Sequence, residues 1–182
     1  MRIIAGVAGG RRLTAPPGRG TRPTTDRARE GLFSAVEAAL GSLAGRAVLD
    51  LYAGSGAIGL EAASRGATTV ILVESGAGAL RALRANVAAL ALPGVEVRSE
   101  PVAKLLAGPA PATFDLVYVD PPYSDPVEAT LSRLAAGDWL SPDALVVVER
   151  ASRDDDLRWP DGLQPLRARK YGDSTLWYGA RS

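Results

Sequence analysis

The sequence predicts an α/β fold in which a doubly wound, mostly parallel sheet ends in an antiparallel edge strand. Five apolar strand segments alternate with helical segments between residues 47 and 149. A turn rich in glycine, residues 54–56, directly follows the first of these strands. A later strand stops at Asp120 before two prolines, which cannot donate to a sheet ladder. Parallel strands end at one edge of a sheet, so both turns are expected to share the edge where such folds bind ligands.

The composition limits the chemistry that is available to this chain. Its 182 residues are 47% hydrophobic, which is enough for one domain with a modest appendage. Cysteine and histidine are absent, which excludes disulfides, thiolate–zinc sites and Ser–His–Asp machinery, and no metal is expected. Any catalysis must therefore use carboxylates, backbone groups, tyrosine and a cofactor. There is neither a transmembrane-length apolar run nor a secretory signal, so we expect a cytoplasmic protein without membrane contact.

The first thirty residues are strongly basic. They hold seven arginines against Asp26 and Glu30, a net charge of +5, whereas the rest of the chain carries −4. This is typical of an arm that faces phosphates, and an ordinary solvated surface is the alternative. Segments 2–7 and 11–14 flank a glycine pair and predict a small N-terminal β-hairpin, followed by a connector rich in proline and glycine. We therefore expect an arm over residues 1–24 and the main domain over residues 25–182.

The main domain should begin with a helix that Thr25 or Asp26 caps and that runs to about Leu40. Apolar runs and helical periodicity then predict strands at 47–51, 69–73, 95–98, 114–119 and 144–149, and helices from 57 and at 77–92, 102–106 and 126–136. A turn is expected at 137–143, and a closing hairpin at 166–171 and 175–178. The three tryptophans, Trp139, Trp159 and Trp177, are interpreted as packing residues.

The residues around the glycine turn indicate which ligand it could bind. Gly54, Gly56 and Gly59 match G-x-G-x-x-G, and Glu74 lies where a ribose-binding acid belongs, so a dinucleotide is one candidate and a purely structural turn another. Asp50 at the end of the strand would repel a pyrophosphate and instead suits an ammonium group. A dehydrogenase would also lack a histidine for proton transfer. S-adenosylmethionine, with a cationic amino-acid end and a ribose diol, fits better.

Several stretches also resemble known families. DLYAGSG at 50–56 resembles the first motif of the class I S-adenosylmethionine-dependent methyltransferases, and DPPY at 120–123 resembles their amino-methylating signature. RIIAG, RPTTDRAREGLF, LDLYAGSGAIGLEAASRGA and the closing G-x-x-x-L-W-Y resemble the bacterial small-subunit ribosomal RNA guanine-N2 methyltransferases. The resemblance covers nearly the whole chain and weakens after Glu149. It implies a Rossmann-like sheet of the class I methyltransferase type and methylation of the N2 amine of a guanine in 16S ribosomal RNA.

The residues and the resemblance together predict the site. Asp120 and the Pro121 carbonyl would accept the two hydrogens of the target amine, and Tyr123 would stack on the base. The expected catalytic residues are Asp120, Pro121, Pro122 and Tyr123. The expected cofactor residues are Asp50, Leu51, Tyr52, Ala53, Gly54, Ser55, Gly56, Glu74, Ser75, Glu100, Pro101, Val102 and Asp120. The expected RNA-binding residues are Arg2, Arg11, Arg12, Arg19, Arg22 and Arg27.

Other residues and functions stay open at this point. Arg29 and Glu30 are expected to hold the arm on the body, and Asn86 either supports the site or lies at the surface. A DNA or RNA adenine-N6 methyltransferase would share DPPY, whereas a NAD-dependent oxidoreductase or a non-catalytic RNA-binding module fits the acids less well. The expected partner is 16S ribosomal RNA or the small ribosomal subunit, and the protein is expected to be monomeric. The arm should contribute little to cofactor binding if the glycine turn lies apart from it.

Overall fold

The computed structural model describes residues 1–16, 26–122 and 126–182. Arg19, Arg22 and Tyr123 therefore lie outside the described residues. The strands are β1 Ala47–Leu51, β2 Thr69–Val73, β3 Val95–Arg98, β4 Phe114–Val119, β5 Leu140–Ala151, β6 Leu163–Tyr171 and β7 Ser174–Arg181. The helices are α1 Asp26–Leu40, α2 Ala57–Ser64, α3 Ala77–Leu90, α4 Val102–Leu105 and α5 Val127–Ala136.

The strands form one seven-stranded sheet in the order β3-β2-β1-β4-β5-β7-β6. Strands β1 to β5 pair in parallel, and β7 pairs antiparallel with both β5 and β6. The predicted fold, a mostly parallel doubly wound sheet with antiparallel strands at its C-terminal side, is confirmed. The chain runs outward from β1 to β3 and then returns to place β4 on the other side of β1. This reversal opens a crevice at the carboxyl ends of β1 and β4, where α/β folds bind ligands.

Helices cover both faces of the sheet. On one face, α1, α2, α3 and the N-terminal segment pack over side chains that include Val48, Leu116 and Tyr118. On the other face, α4 and α5 pack over side chains that include Leu49, Val117 and Val119. Successive residues of a strand point to opposite faces of the sheet. The position of an acid along its strand therefore decides which layer of helices its side chain faces. Among the described residues, no helix is long and apolar enough to cross a membrane.

The C-terminal strands are longer than the sequence predicts. The predicted turn over residues 137–143 is confirmed only for residues 137–139, because β5 already begins at Leu140, which pairs with Phe114. Trp139 is buried and its ring stacks on Phe114 with 6.2 Å between the ring centroids, which draws this stretch into the sheet. The last two strands pair over their full length, from Leu163 opposite Arg181 to the turn at residues 171–174.

The N-terminal segment is less regular than the predicted hairpin and is bound closely to the body. Among residues 1–16, Arg2 and Arg12 form an isolated antiparallel bridge rather than a regular pair of strands. The buried carboxylate of Glu61 on α2 accepts the N–H groups of Ile4 and Ala5 at 2.7 and 2.9 Å. Helix α2, predicted to be amphipathic, is therefore buried on all sides. The predicted boundary between the arm and the main domain falls between residues 24 and 25, which lie outside the described residues.

Candidate active site

Four acids lie at the carboxyl edge of the sheet, each at or just beyond the end of a parallel strand. They are Asp50 on β1, Glu74 after β2, Asp120 after β4 and Glu149 near the end of β5. The strand order makes β2, β1, β4 and β5 direct neighbours, so the acids follow one another along the edge. Such a concentration of negative charge suits a cationic ligand.

The glycine turn begins with an unusual backbone conformation. Tyr52 has a φ of 62°, a left-handed conformation that is costly for a bulky residue, and Gly54 and Gly56 follow with φ of 58° and 80°. The N–H of Ala53 binds the carbonyl of Val73 at 2.9 Å, which ties the turn to the end of β2. The fold thus holds Tyr52 in a strained state directly beside the predicted cofactor site.

Asp50 lies beneath the turn and anchors the helix that follows. Its Oδ2 accepts the N–H of Gly59 at 2.9 Å, and its side chain is buried. Only glycine permits this approach, since a Cβ on residue 59 would lie 2.1 Å from a methyl carbon of Leu72. Burial, with a smaller contribution from Glu74, raises the pKa of Asp50 to about 7, although the bond from Gly59 opposes the shift.

Glu74 organises the backbone on both sides of itself. One carboxylate oxygen accepts the N–H of Gly54 at 2.9 Å, and the other accepts the N–H groups of Ser75 and Gly76 at 2.8 and 2.7 Å. These bonds connect the ends of β1 and β2 across the mouth of the crevice. The carboxylate is half-buried, and a ribose diol could donate to it in place of these N–H groups.

The third part of the predicted cofactor site follows β3. The N–H of Glu74 binds the carbonyl of Arg98 at 3.1 Å, which places the start of the next segment beside Glu74. In that segment Glu100 is partly buried and lies 3.7 Å from the amine of Lys104, while Val102 is buried and Pro101 exposed. The structure therefore puts residues 100–102 at the same edge as the glycine turn.

Asp120 is the acid whose surroundings are most unfavourable to charge. Its backbone N–H points to the carbonyl of Leu51 at 3.4 Å, which joins the end of β4 to the end of β1. Burial first, then the nearby charges of Glu149 and Asp50, raise the pKa of Asp120 well above its ordinary value. Pro121 is half-buried and Pro122 exposed, so the turn lies at the mouth of the crevice.

Glu149 and Tyr118 are two residues of this edge that the sequence analysis missed. Glu149 is only 7% exposed, and the hydroxyl of Tyr118 donates to its Oε2. The available signal was an acid that closes a run of valines, Val146–Glu149, as Asp120 closes the strand before it. The sequence alone predicts Glu149 only as the last residue of a buried strand.

Asn86 connects the N-terminal segment to the glycine turn. Its amide nitrogen donates to the carbonyls of Thr14 and Ser55, both at 2.9 Å, and its oxygen accepts the N–H of Thr14 at 2.7 Å. The side chain is buried, so Asn86 supports the turn rather than lying at the surface. The premise that the arm is separate from the glycine turn is therefore wrong.

The predicted RNA-binding arginines divide into exposed and bound side chains. Arg2, Arg12 and Arg27 are exposed. Arg11 is exposed too, but one of its nitrogens donates to the carbonyl of Ala89 at 2.6 Å, near the end of α3. Arg29, by contrast, is fully buried, and its Nη2 binds the carbonyl of Arg2 at 2.7 Å. It thus holds the N-terminal segment on α1, as expected, whereas Glu30 is exposed.

A groove of about 620 Å³ lies away from these acids. It runs beside β6, and its lining includes the half-buried rings of Trp159 and Trp177 but none of the four acids. The candidate site is instead an open crevice, identified by its chemistry rather than by its depth.

Comparisons with known proteins place the chain among methyltransferases. Residues 1–180 match the family described as "Conserved hypothetical protein 95". Ribosomal RNA small subunit methyltransferase D of Escherichia coli K12 is 37% identical over 150 residues, which cover 82% of this chain and 74% of that protein. Putative rRNA methyltransferase YlbH of Bacillus subtilis is 32% identical over 179 residues, 94% of each chain. The solved structure of putative methyltransferase yhhF from Escherichia coli superposes with a TM-score of 0.88 at 32% identity, over 100% of this chain and 97% of the other.

Proposed function

Because this chain belongs to the conserved hypothetical protein 95 family of ribosomal RNA methyltransferases, we propose that it methylates the exocyclic N2 amine of a guanine in 16S ribosomal RNA. The methyl donor in this proposal is S-adenosylmethionine. The observation that carries it is the position of Asp120, which closes β4 beside Asp50 and the glycine turn. An amine acceptor and a methyl donor would meet at that edge.

The residues of the edge fit the donor. Asp50 and the glycine turn, residues 51–56, would hold its amino-acid end, and Glu74 with Ser75 would hold its ribose. Residues 100–102 would border the adenine. The acidic edge favours a ligand with a sulfonium and an ammonium group over one with phosphates. When bound, the cofactor supplies an activated methyl group with a neutral thioether as the leaving group.

The DPPY turn would orient the target amine. The exocyclic amine of guanine is a weak nucleophile, because its lone pair is delocalised into the ring. Asp120 and the carbonyl of Pro121 would each accept one N–H, so that the lone pair faces the methyl group. Asp120 would also stabilise the positive charge that develops on nitrogen. Tyr123 would stack on the base, and alignment of the two reactants would provide most of the rate gain.

The RNA would contact the basic N-terminal segment. The exposed guanidinium groups of Arg2, Arg12 and Arg27 suit phosphates and unpaired bases. Arg19 and Arg22 belong to the same proposed surface by sequence. We propose that the protein acts as a monomer on the small ribosomal subunit in the bacterial cytoplasm, with residues 1–24 as a substrate-binding arm of the catalytic domain.

Nucleoside analysis tests this proposal. The protein is incubated with labelled S-adenosylmethionine and with small subunits from bacteria that lack the enzyme, and the digested RNA is separated by chromatography. Labelled N2-methylguanosine from 16S RNA is the expected product. Labelled N6-methyladenosine would instead establish the adenine-N6 alternative, and unlabelled RNA would contradict both. Free 16S RNA, run in parallel, shows whether the assembled subunit is required.

A further inference from the structure

Strands β4 and β5 bring two acids side by side. The parallel register pairs Tyr118 with Val147 and Val119 with Val148. The next residues on the two strands are Asp120 and Glu149. Neighbouring parallel strands lie about 4.8 Å apart, so side chains at this position on the same face are direct neighbours.

The two acids also point to the same face of the sheet. Leu116 and Tyr118 on β4, and Leu145 and Val147 on β5, all belong to the core beneath α1. Asp120 and Glu149 continue this alternation. Below them, the hydroxyl of the buried Tyr118 donates to Glu149 Oε2. Tyr118 therefore fixes Glu149 beside Asp120.

We propose that Glu149, held by Tyr118, is a positioning residue that makes Asp120 the acceptor of the proton released from the target amine. This inference rests on the proposed function, since it assigns a role within that reaction. Glu149 is too deeply buried to contact the base and acts through Asp120.

The step balances as follows. The lone pair of the amine nitrogen forms a bond to the methyl carbon, and the carbon–sulfur bond breaks with its electron pair on sulfur. The nitrogen then carries a positive charge and gives one proton to the carboxylate of Asp120, which later releases that proton to water. An ordinary carboxylate is a weak base at neutral pH, and a base is most effective when its pKa lies near the working pH. Burial first, and then the neighbouring charge of Glu149, raise the pKa of Asp120 in that direction.

Other charged groups of the described residues act on the pair or lie on the elements that pack against it. Asp50 on β1 adds a second negative charge and reinforces the effect of Glu149. Glu74 on β2 acts on Asp50 in turn. From α1, the buried Arg29 directs its Nη2 to Asp26 and to the carbonyl of Arg2. From β7, the apolar Leu176 stands opposite Glu149.

A titration of the Asp120 carboxyl group tests the pair without RNA. The protein is labelled with carbon-13 at aspartate carboxyl groups, and the Asp120 signal is identified by its loss in Asp120→Asn. In Glu149→Gln the amide oxygen still accepts from Tyr118 but the charge is gone. The titration midpoint of Asp120 should then fall by about one pH unit. The matched control Glu96→Gln, an exposed acid on β3, should leave the midpoint unchanged.

Tyr118→Phe provides a second variant in case Glu149→Gln fails to fold. Loss of the hydroxyl removes the hydrogen bond that holds Glu149 beside Asp120, so the charge of Glu149 acts less strongly on Asp120 and the Asp120 midpoint should again fall. In single-turnover assays with small subunits, both variants should move the acid limb of the pH–rate profile downward. The rate at neutral pH should fall about tenfold, since Asp120 becomes a weaker base.

The outcomes separate this inference from the proposed function. A midpoint and an acid limb that stay unchanged in every folded variant would overturn the role of Glu149, even if N2-methylguanosine is formed. A shifted midpoint in a protein that forms no N2-methylguanosine would leave the acid pair intact and overturn the proposed function.

Discussion

The two edges of the sheet use the same type of side chain in opposite ways. At the amino edge, Asp115 on β4 lies 3.0 Å from a guanidinium nitrogen of Arg46 and accepts the N–H of Ala47 at 2.9 Å. At the carboxyl edge, five residues later on the same strand, Asp120 lies among other acids and its pKa is raised well above the ordinary value by burial and by Glu149. Asp115 is neutralised by a basic partner, whereas Asp120 lies among like charges.

The difference shows that the unfavourable electrostatic interactions of this fold are concentrated at the carboxyl edge of the sheet. A paired carboxylate holds β1 and β4 together at the amino edge at little cost. The carboxyl edge instead collects like charges that a cationic ligand and a proton can neutralise. Four substitutions test the edges and the basic segment and are ordered by the size of the expected effect, and Asp115→Asn is the control for the first of them.

Asp120→Asn should have the largest effect on the reaction. The amide cannot accept a proton and stabilises the developing positive charge poorly, so methyl transfer should fall about a thousandfold while cofactor affinity changes little. Single-turnover transfer to small subunits measures the rate, and calorimetry measures the affinity.

Asp115→Asn is the matched control for Asp120→Asn on the same strand. It should leave the transfer rate unchanged and lower the free energy of unfolding by about 1 kcal/mol, since the pair with Arg46 is partly exposed. A similar loss of activity in both variants would mean that the two edges do not differ in function.

Asp50→Asn should change how stability depends on pH. The pKa of Asp50 is about 3.8 in the unfolded chain and about 7 in the folded protein, so folding favours the protonated form. The wild type should lose stability relative to the variant as pH rises, by roughly 1.4 kcal/mol per pH unit between about 4 and 7, and no further above that range. Urea unfolding of both proteins without cofactor measures this difference. A difference that does not vary with pH would show that Asp50 is not held in an unfavourable environment.

Glu74→Gln should weaken cofactor binding about tenfold, because the amide lacks the charge of the carboxylate and accepts more weakly from the glycine turn and the ribose. Calorimetry with S-adenosylmethionine, with and without a chelator, measures the affinity. Glu96→Gln, on the outermost parallel strand, serves as the control and should bind normally. Equal affinities for wild type and Glu74→Gln would remove Glu74 from the cofactor site.

Arg12→Gln should have the smallest effect, roughly a threefold loss of RNA affinity and a salt slope that is shallower by about one. Arg11→Gln is the instructive comparison, because it also removes a bond to the carbonyl of Ala89 and should lower stability as well. An unchanged salt slope for Arg12→Gln would move the RNA surface elsewhere, to Arg27 or to the closing hairpin.

Because Asn86 connects the arm to the glycine turn, a truncation of the arm should affect more than RNA binding. Residues 1–16 supply Thr14, which shares Asn86 with Ser55 of the glycine turn. Removal of the arm should therefore weaken cofactor binding as well as RNA binding. This is why the single substitution Arg12→Gln, rather than a deletion, isolates the RNA contribution.

The sequence by itself determined the sheet, its parallel strands and three of the four edge acids. These features are local, because apolar runs, glycines and prolines restrict the backbone within a few residues. Asp50, Glu74 and Asp120 each end a predicted strand, so their common edge follows from the rule that parallel strands end together. The start of β5 at Leu140 was missed, because its pairing with Phe114 depends on a contact twenty-six residues away in the chain.

Only the tertiary structure decided which groups act on one another. Glu149 lies beside Asp120 because of the register in which β4 and β5 pair. The hydroxyl of Tyr118 reaches Glu149 because both side chains lie on the same face of the sheet. The burial of α2 on all sides requires the N-terminal segment to lie on Glu61. Asp115 and Asp120 carry the same chemical group at the two edges of the sheet. The proton affinity of a carboxylate depends on its burial and on nearby charges, and these are set only when strands that are distant in sequence pack together.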